Sequence, residues 1–298
     1  MVGASLLALH DMAAPFVLFL REGLEASLVV SILFAALRQM GQSRQMRAVW
    51  IGVGLAVAGS LVGGVALYAT IREYDGSRFQ TVFETITYLL AVVLLTTMTF
   101  WMQNHSRTLK REITEKATAA SSGFALGLLA FTTVGREGLE SAVFTLAFAF
   151  QSNGLFLLAG AILGIAAAVV LCVMIYRLGY RLDYRIFFRV MGIVLLIFAA
   201  GLLGDAVQNM QALGWIPIGT AHVWDTSGIL SQETMVGDML HAFVGYSDTP
   251  SVLQIIFYAV YLALAGVLFW RITRGPRVRP APATQGSSQQ TTATGNAQ

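Results

Sequence analysis

Residues 21–25 read Arg-Glu-Gly-Leu-Glu, and residues 136–140 read Arg-Glu-Gly-Leu-Glu again. Both copies stand inside apolar runs that are otherwise free of charge. Apolar runs of about 18 or more residues are long enough to cross a bilayer as helices. The chain has seven, at about 13–37, 49–71, 81–102, 121–149, 154–176, 187–209 and 251–272. The motif falls in the first and the fourth. Three crossings, an odd number, lead from one to the other, so the two motif helices are expected to run in opposite directions. An all-α polytopic membrane protein follows: seven transmembrane helices, a 3+3 inverted repeat plus one additional helix. Such repeats recur in transporters, with the substrate near the midplane where the repeats meet.

The rest of the composition agrees. The 298 residues are 56% hydrophobic and only 12% charged, against about 25% charged in soluble domains. Mean hydropathy is +0.68. An ordinary soluble enzyme, a disordered chain and a nucleic-acid binder are excluded. The single cysteine, Cys172, excludes an internal disulfide and any thiolate metal cluster.

Charge in the connecting segments alternates. Arg38, Arg44 and Arg47 follow the first span. Arg107, Lys110, Arg111 and Lys116 follow the third, and Arg177, Arg181, Arg185 and Arg189 follow the fifth. Arg271, Arg274, Arg277 and Arg279 follow the seventh. The opposite side has only Arg72 and Arg78. The positive-inside rule puts the basic side in the cytoplasm, the N-terminus outside and the C-terminus inside. The expected organisation is a short outer N-terminus (1–12) and a permease domain (13–272). Within that domain come repeat one (about 13–102), repeat two (about 121–209), an outer cap (210–250) and the seventh helix (251–272). A disordered cytoplasmic tail (273–298) follows, polar and without charge after Arg279. No basic n-region precedes the first span, and no cleaved signal peptide is expected. A short helix is expected in the cap, from Ser231 to about Phe243.

The spacing within the motif states its chemistry. Glu22 and Glu25 are three apart and share a helix face, as do Glu137 and Glu140; Arg21–Glu25 and Arg136–Glu140 are four apart and can pair. Gly23 and Gly138 leave a gap for a neighbouring backbone or an ion. Each ionised residue at the bilayer centre costs about 2.5–3.5 kcal/mol on insertion scales. Four carboxylates against two guanidinium groups leave an excess of negative charge, which a cation neutralises. The alternative is a self-neutralised salt-bridge knot joining two helices, but each copy holds one more carboxylate than that needs. All-oxygen donors suit hard cations such as magnesium, calcium or manganese, and by the same logic iron(III). GxxxG pairs at Gly59/Gly63 and Gly160/Gly164 are expected to bring helices close.

Two Arg-Glu-x-x-Glu copies in the first and fourth of seven spans resemble the oxidase-dependent iron transporter family. That family includes fungal high-affinity iron permeases and bacterial ferrous-iron uptake permeases of the EfeU and FtrC types. Phe100-Trp101-Met102, the Gly214-Trp215-Ile216-Pro217 turn, and Gly245-Tyr246 with Asp248 and Pro250 also fit. The resemblance implies iron uptake across the bacterial inner membrane, with iron presented as iron(III) by a separate oxidase or iron-delivery protein of cupredoxin or peroxidase type. It implies Glu22, Glu25, Glu137 and Glu140 as the iron-handling carboxylates and Arg21 and Arg136 as their arginines. Iron is then substrate, with no permanently bound cofactor. The acidic outer-loop string Asp-Ala-Ser-Glu of fungal members is absent. Self-association stays open.

Other acids and histidines extend the pattern. Glu84 and Asp205, near the outer ends of spans three and six, suit a vestibule that concentrates cations. For Glu84 the alternative is a helix N-terminal carboxylate facing the dipole. The cap offers Asp225, Glu233, Asp238 and His241 for metal capture, with Asp238 and His241 on one helix face, or else as an ordinary solvated loop. Other functions remain in view: a permease for manganese or lead, a cation/proton exchanger, or an assembly subunit. An intramembrane acid/base enzyme lacks a nucleophile or cofactor motif, and no Walker motif supports ATP hydrolysis.

Overall fold

The computed structural model describes residues 12–72, 76–105, 109–120, 122–150, 154–178, 184–232 and 234–274. Most of the outer N-terminus, most of the tail and Glu233 lie outside these residues. The elements are α1 (Ala13–Gln39), α2 (Met46–Arg72), α3 (Arg78–His105), α4 (Leu109–Ala119), α5 (Gly123–Ala149), α6 (Gly154–Leu178), α7 (Tyr184–Ala212), α8 (Met235–Val244) and α9 (Val252–Arg274). A 3-10 turn, Ser43–Gln45, leads into α2. Among the described residues the fold is all-helical; its one isolated bridge pairs His222 with Ser251. Five helices, α2, α3, α6, α7 and α9, are long and apolar enough to cross a membrane by length and composition. The other two long helices, α1 and α5, are 27 residues each and carry the charged motif. At 1.5 Å per residue each is about 40 Å long, more than a hydrocarbon core of about 30 Å.

Pairing between helices is reciprocal. The most extensive contacts are α2 with α5, α1 with α6, and α3 with α7. The first helix of each half therefore packs on the second of the other, and the third helices pack on each other. Apolar clusters fix the direction. Ala14 and Leu18, early in α1, pack with Phe144, Ala147 and Phe148, late in α5. Leu33 and Leu37, late in α1, pack with Leu126 and Ala130, early in α5. The two motif helices run antiparallel, and the motifs lie between two apolar layers.

Small residues set the closest crossings, and here the structure corrects one expectation. Gly160 and Gly164 do meet α1: a Cβ at Gly164 would lie 2.6 Å from the Phe16 carbonyl oxygen. Gly59 and Gly63 face open space, with nothing within 4 Å. The working stripe of α2 is Gly52-x₃-Ala56-x₃-Ser60. Gly52 meets the Gly127 carbonyl of α5, Ala56 reaches Gly135, and Ser60 fills the gap at Gly138. The stripe of α6 is Gly160-x₃-Gly164-x₃-Ala168, and Ala168 fills the gap at Gly23, where a Cβ would lie 2.8 Å from its own. The two stripes match position for position. GxxxG names a spacing, not a face, and in α2 it picked the wrong one.

The segment 103–120, expected only as a basic loop, contains α4. Ile113 and Ala117 are buried against Leu33, Leu37 and Leu126, while Arg111 and Glu115 pair at 3.6 Å on the exposed side. That i,i+4 spacing of charges opposite buried Ile113 and Ala117 is a helix signal carried by the sequence itself. The cap forms a hydrogen-bonded structure: Trp224 Nε1 donates to the Ser247 carbonyl (3.2 Å), the Gln232 amide to Asp248 (3.2 Å), and the Tyr246 hydroxyl to the Leu230 carbonyl (2.9 Å). Its helix starts at Met235, later than expected, because Thr234 is the N-cap and its Oγ1 accepts from Gly237 (3.3 Å). Gly245 ends it at φ +69°, a conformation that suits glycine.

Candidate metal site

The charged residues of the two motifs meet between α1 and α5. Arg21 is 2% exposed and lies between two carboxylates. Its Nη1 is 2.7 Å from Glu22 Oε1 and its Nη2 3.1 Å from Glu25 Oε1. Arg136 Nε donates to Glu140 Oε1 at 2.9 Å. Both expected i,i+4 pairs are present. The copies are otherwise unlike. Arg136 is about half exposed, and its guanidinium lies 5.3 Å from the Trp101 ring centroid, within cation–π range. Glu137 pairs with neither arginine at ion-pair distance.

Three of the four glutamates converge. One carboxylate oxygen each from Glu22, Glu137 and Glu140 lies within 4.8 Å of the others. Glu25 stands outside this trio, against Arg21. Glu22 Oε2, Glu137 Oε2 and Glu140 Oε2 are buried and accept no hydrogen bond. Buried polar atoms in native proteins nearly always have a partner, because an unmade bond costs about 1–3 kcal/mol. Three ionised carboxylates this close repel, and either a bound cation or a proton shared between two of them relieves the repulsion. The glycine gaps serve the neighbouring helices: Ala168 fills that at Gly23 and Ser60 that at Gly138.

Replacing Arg21 with Met leaves Glu22 and Glu25 buried without their cation. The expected loss is about 3–5 kcal/mol of stability, seen as a lower melting temperature and a reduced monodisperse fraction after detergent extraction. The same change at half-exposed Arg136 is expected to cost less.

The remaining sequence candidates are placed as follows. Glu84 accepts from Gln80 (3.0 Å) and from Asn209 of α7 (3.4 Å). Asp205 is buried in α7 and faces His241 at 3.8 Å. Asp238 sits in the first turn of α8; its expected partner His241 turns instead toward Asp205, Gln232 and Tyr246. Asp225 is exposed, and its carboxylate is held below the ordinary range by the Ser227 hydroxyl (2.6 Å) and backbone N–H (3.0 Å). These contacts close the turn at Asp225. The contact of Trp101 with Arg136 was not foreseen, because two residues 35 apart in sequence carry no local signal.

The iron permease FTR1 family model matches residues 12–274. A protein named ferrous iron permease EfeU from Escherichia coli O157:H7 is 36% identical over 263 residues, 87% of this chain and 95% of the relative. Its namesake from Yersinia pestis is 34% identical over 278 residues, 91% of this chain and 98% of the relative. A relative from Escherichia coli K12, 36% identical over 263 residues (87% of this chain, 95% of the relative), is named a putative inactive ferrous iron permease EfeU. No solved structure matches the chain.

Proposed function

Since the chain belongs to the iron permease FTR1 family, and is thus a multi-pass membrane permease rather than an enzyme, we propose that it carries iron across the bacterial inner membrane through the motif carboxylates. Glu22, Glu137 and Glu140 ligate the ion. Glu25 and Arg21 set the charge of the site from the first repeat, and Arg136 does so from the second. The observation that carries this reading is the set of three converging carboxylates, each with a buried oxygen that accepts no hydrogen bond.

The seven long helices are the seven spans of one permease domain, with α1–α3 and α5–α7 as inverted repeats and α9 appended. The antiparallel motif helices and the matched small-residue stripes support this arrangement. The basic connections face the cytoplasm, which leaves the N-terminus outside and the C-terminus inside. Iron is cargo rather than a resident group. A separate oxidase presents it as iron(III), which suits an all-oxygen donor set. The membrane potential favours inward movement by about 2.3 kcal/mol per charge per 100 mV.

Expression in a host that lacks its own iron uptake should restore growth under chelation. Radio-iron uptake should persist in a roughly tenfold excess of manganese or lead. Efficient block by manganese or lead, with no growth rescue, would mean that the cargo is a different cation.

A further inference from the structure

Asp205 and His241 each stand one helical turn from a contact that has no room for side chains. Gly201 of α7 lies against Gly245, the C-cap of α8, so closely that a Cβ on Gly201 would come 2.9 Å from the Gly245 Cα. Residues four apart share a helix face. The glycine contact therefore sets Asp205, four residues after Gly201, against His241, four residues before Gly245. Asp205 Oδ2 and His241 Nε2 are 3.8 Å apart, with both side chains largely buried. A cavity of about 10 Å³ touches both, lined also by Gly201, Leu202, Phe148 and Phe198. One water-sized body needs about that room.

A separation of 3.8 Å is too long for a hydrogen bond. At 3.8 Å the two groups stand at ion-pair distance; donors about 2.1 Å from one metal stand about 3.4 Å apart in tetrahedral geometry, so an ion bound by both would draw them together by about 0.4 Å. The imidazole is braced from behind. Its Nδ1 lies 2.9 Å from the Tyr246 carbonyl oxygen. That oxygen can only accept, whereas the Gln232 side-chain nitrogen at the same Nδ1 can only donate; in the tautomer that donates from Nδ1 to Tyr246, Nε2 turns its lone pair toward Asp205. The Gln232 side-chain amide sits 2.9 Å from the same Nδ1 and 3.3 Å from the Tyr246 carbonyl. A backbone-anchored Nδ1–H is the usual support of a metal-binding Nε2.

The geometry points to a second metal subsite, formed by Asp205 and His241 under the cap, which takes a first-row transition-metal cation, iron among them. Its donor set includes an imidazole nitrogen, whereas the motif trio offers oxygen alone. Phe148 and Phe198 line its floor in edge-to-face contact, with centroids 6.3 Å apart. Both belong to the apolar layer above the motifs. A cation held here waits outside that layer. This role in transport rests on the permease reading, but the binding itself does not.

The test uses the full chain in lipid nanodiscs, titrated with Fe²⁺ under anaerobic conditions, with bound iron counted. Mn²⁺ serves as the probe for ¹⁴N coupling in pulsed EPR. The wild type should bind two ions and show imidazole coupling. His241→Gln and Asp205→Asn should each bind one. His241→Gln should lose the coupling, and Glu137→Gln should bind one ion and keep it. Two ions in His241→Gln, or no coupling in the wild type, overturns the subsite; a drop to fewer ions in Glu137→Gln would still support the motif site. Two ions in Glu137→Gln would overturn the motif site and leave the subsite standing. Asp205→Asn preserves shape and keeps the test open if His241→Gln does not fold. In cells, either subsite variant should raise the iron concentration for half-maximal uptake about tenfold, equivalent to about 1.4 kcal/mol. The maximal rate should change less than about twofold. A lost maximal rate with unchanged half-saturation would overturn the capture role.

Discussion

Glu137→Gln should reduce iron uptake at least about a hundredfold while the protein remains inserted at wild-type levels. The substitution keeps the side-chain shape and removes one negative charge. A unit charge about 4 Å from a cation is worth about 4 kcal/mol per cation charge at an effective dielectric constant of 20, which converts to nearly a thousandfold in affinity. The amide oxygen of Gln still coordinates weakly, so the expected loss is set below that figure. Glu137 is the most informative of the four because no arginine pairs with it at ion-pair distance. Removing its charge strands no arginine, so a stability effect is expected to be small. Glu22→Gln and Glu140→Gln should lower uptake too, with some loss of stability from their broken arginine pairs. Glu25→Gln should have the mildest effect on binding, since Glu25 faces Arg21 rather than the trio. Whole-cell radio-iron uptake, normalised to protein in the membrane, separates these outcomes.

Gly52→Leu should abolish folding into a monodisperse protein, whereas Gly59→Leu should be tolerated. Even a Cβ at Gly52 collides with the Gly127 carbonyl, and backbone atoms of α5 stand behind it with no freedom to turn aside. Overpacking typically costs about 1–3 kcal/mol. Leucine pressed against another helix's backbone should exceed that range and separate α2 from α5. Gly59, one helix face away, has nothing within 4 Å and points where lipid would lie. Fluorescence-detected size exclusion after mild detergent extraction reads both results. A normal profile for Gly52→Leu would mean that α2 and α5 are not packed as described.

Much of this was legible in the sequence because it depends on spacing. The i,i+3 and i,i+4 rules place Glu22 with Glu25 and pair Arg21 with Glu25 and Arg136 with Glu140. The odd number of crossings orients α1 against α5. What escaped was set by tertiary packing. The duplicated motif suggests four equivalent carboxylates, yet three converge and Glu25 does not, because buried Arg21 draws two glutamates while Arg136 turns toward Trp101. Gly59 and Gly63 have the right spacing on the wrong face, and only the partner helix reveals that Gly52, Ala56 and Ser60 form the contact. His241 shares a helix with Asp238, but the close approach of Gly245 to Gly201 directs it to Asp205, 36 residues away.

The most direct test of the account is anomalous diffraction at the iron edge from crystals of the full chain grown with iron. The account predicts a peak between α1 and α5, about 2 Å from carboxylate oxygens of Glu22, Glu137 and Glu140. Crystals of transport-competent protein that show no iron among these three carboxylates would contradict it.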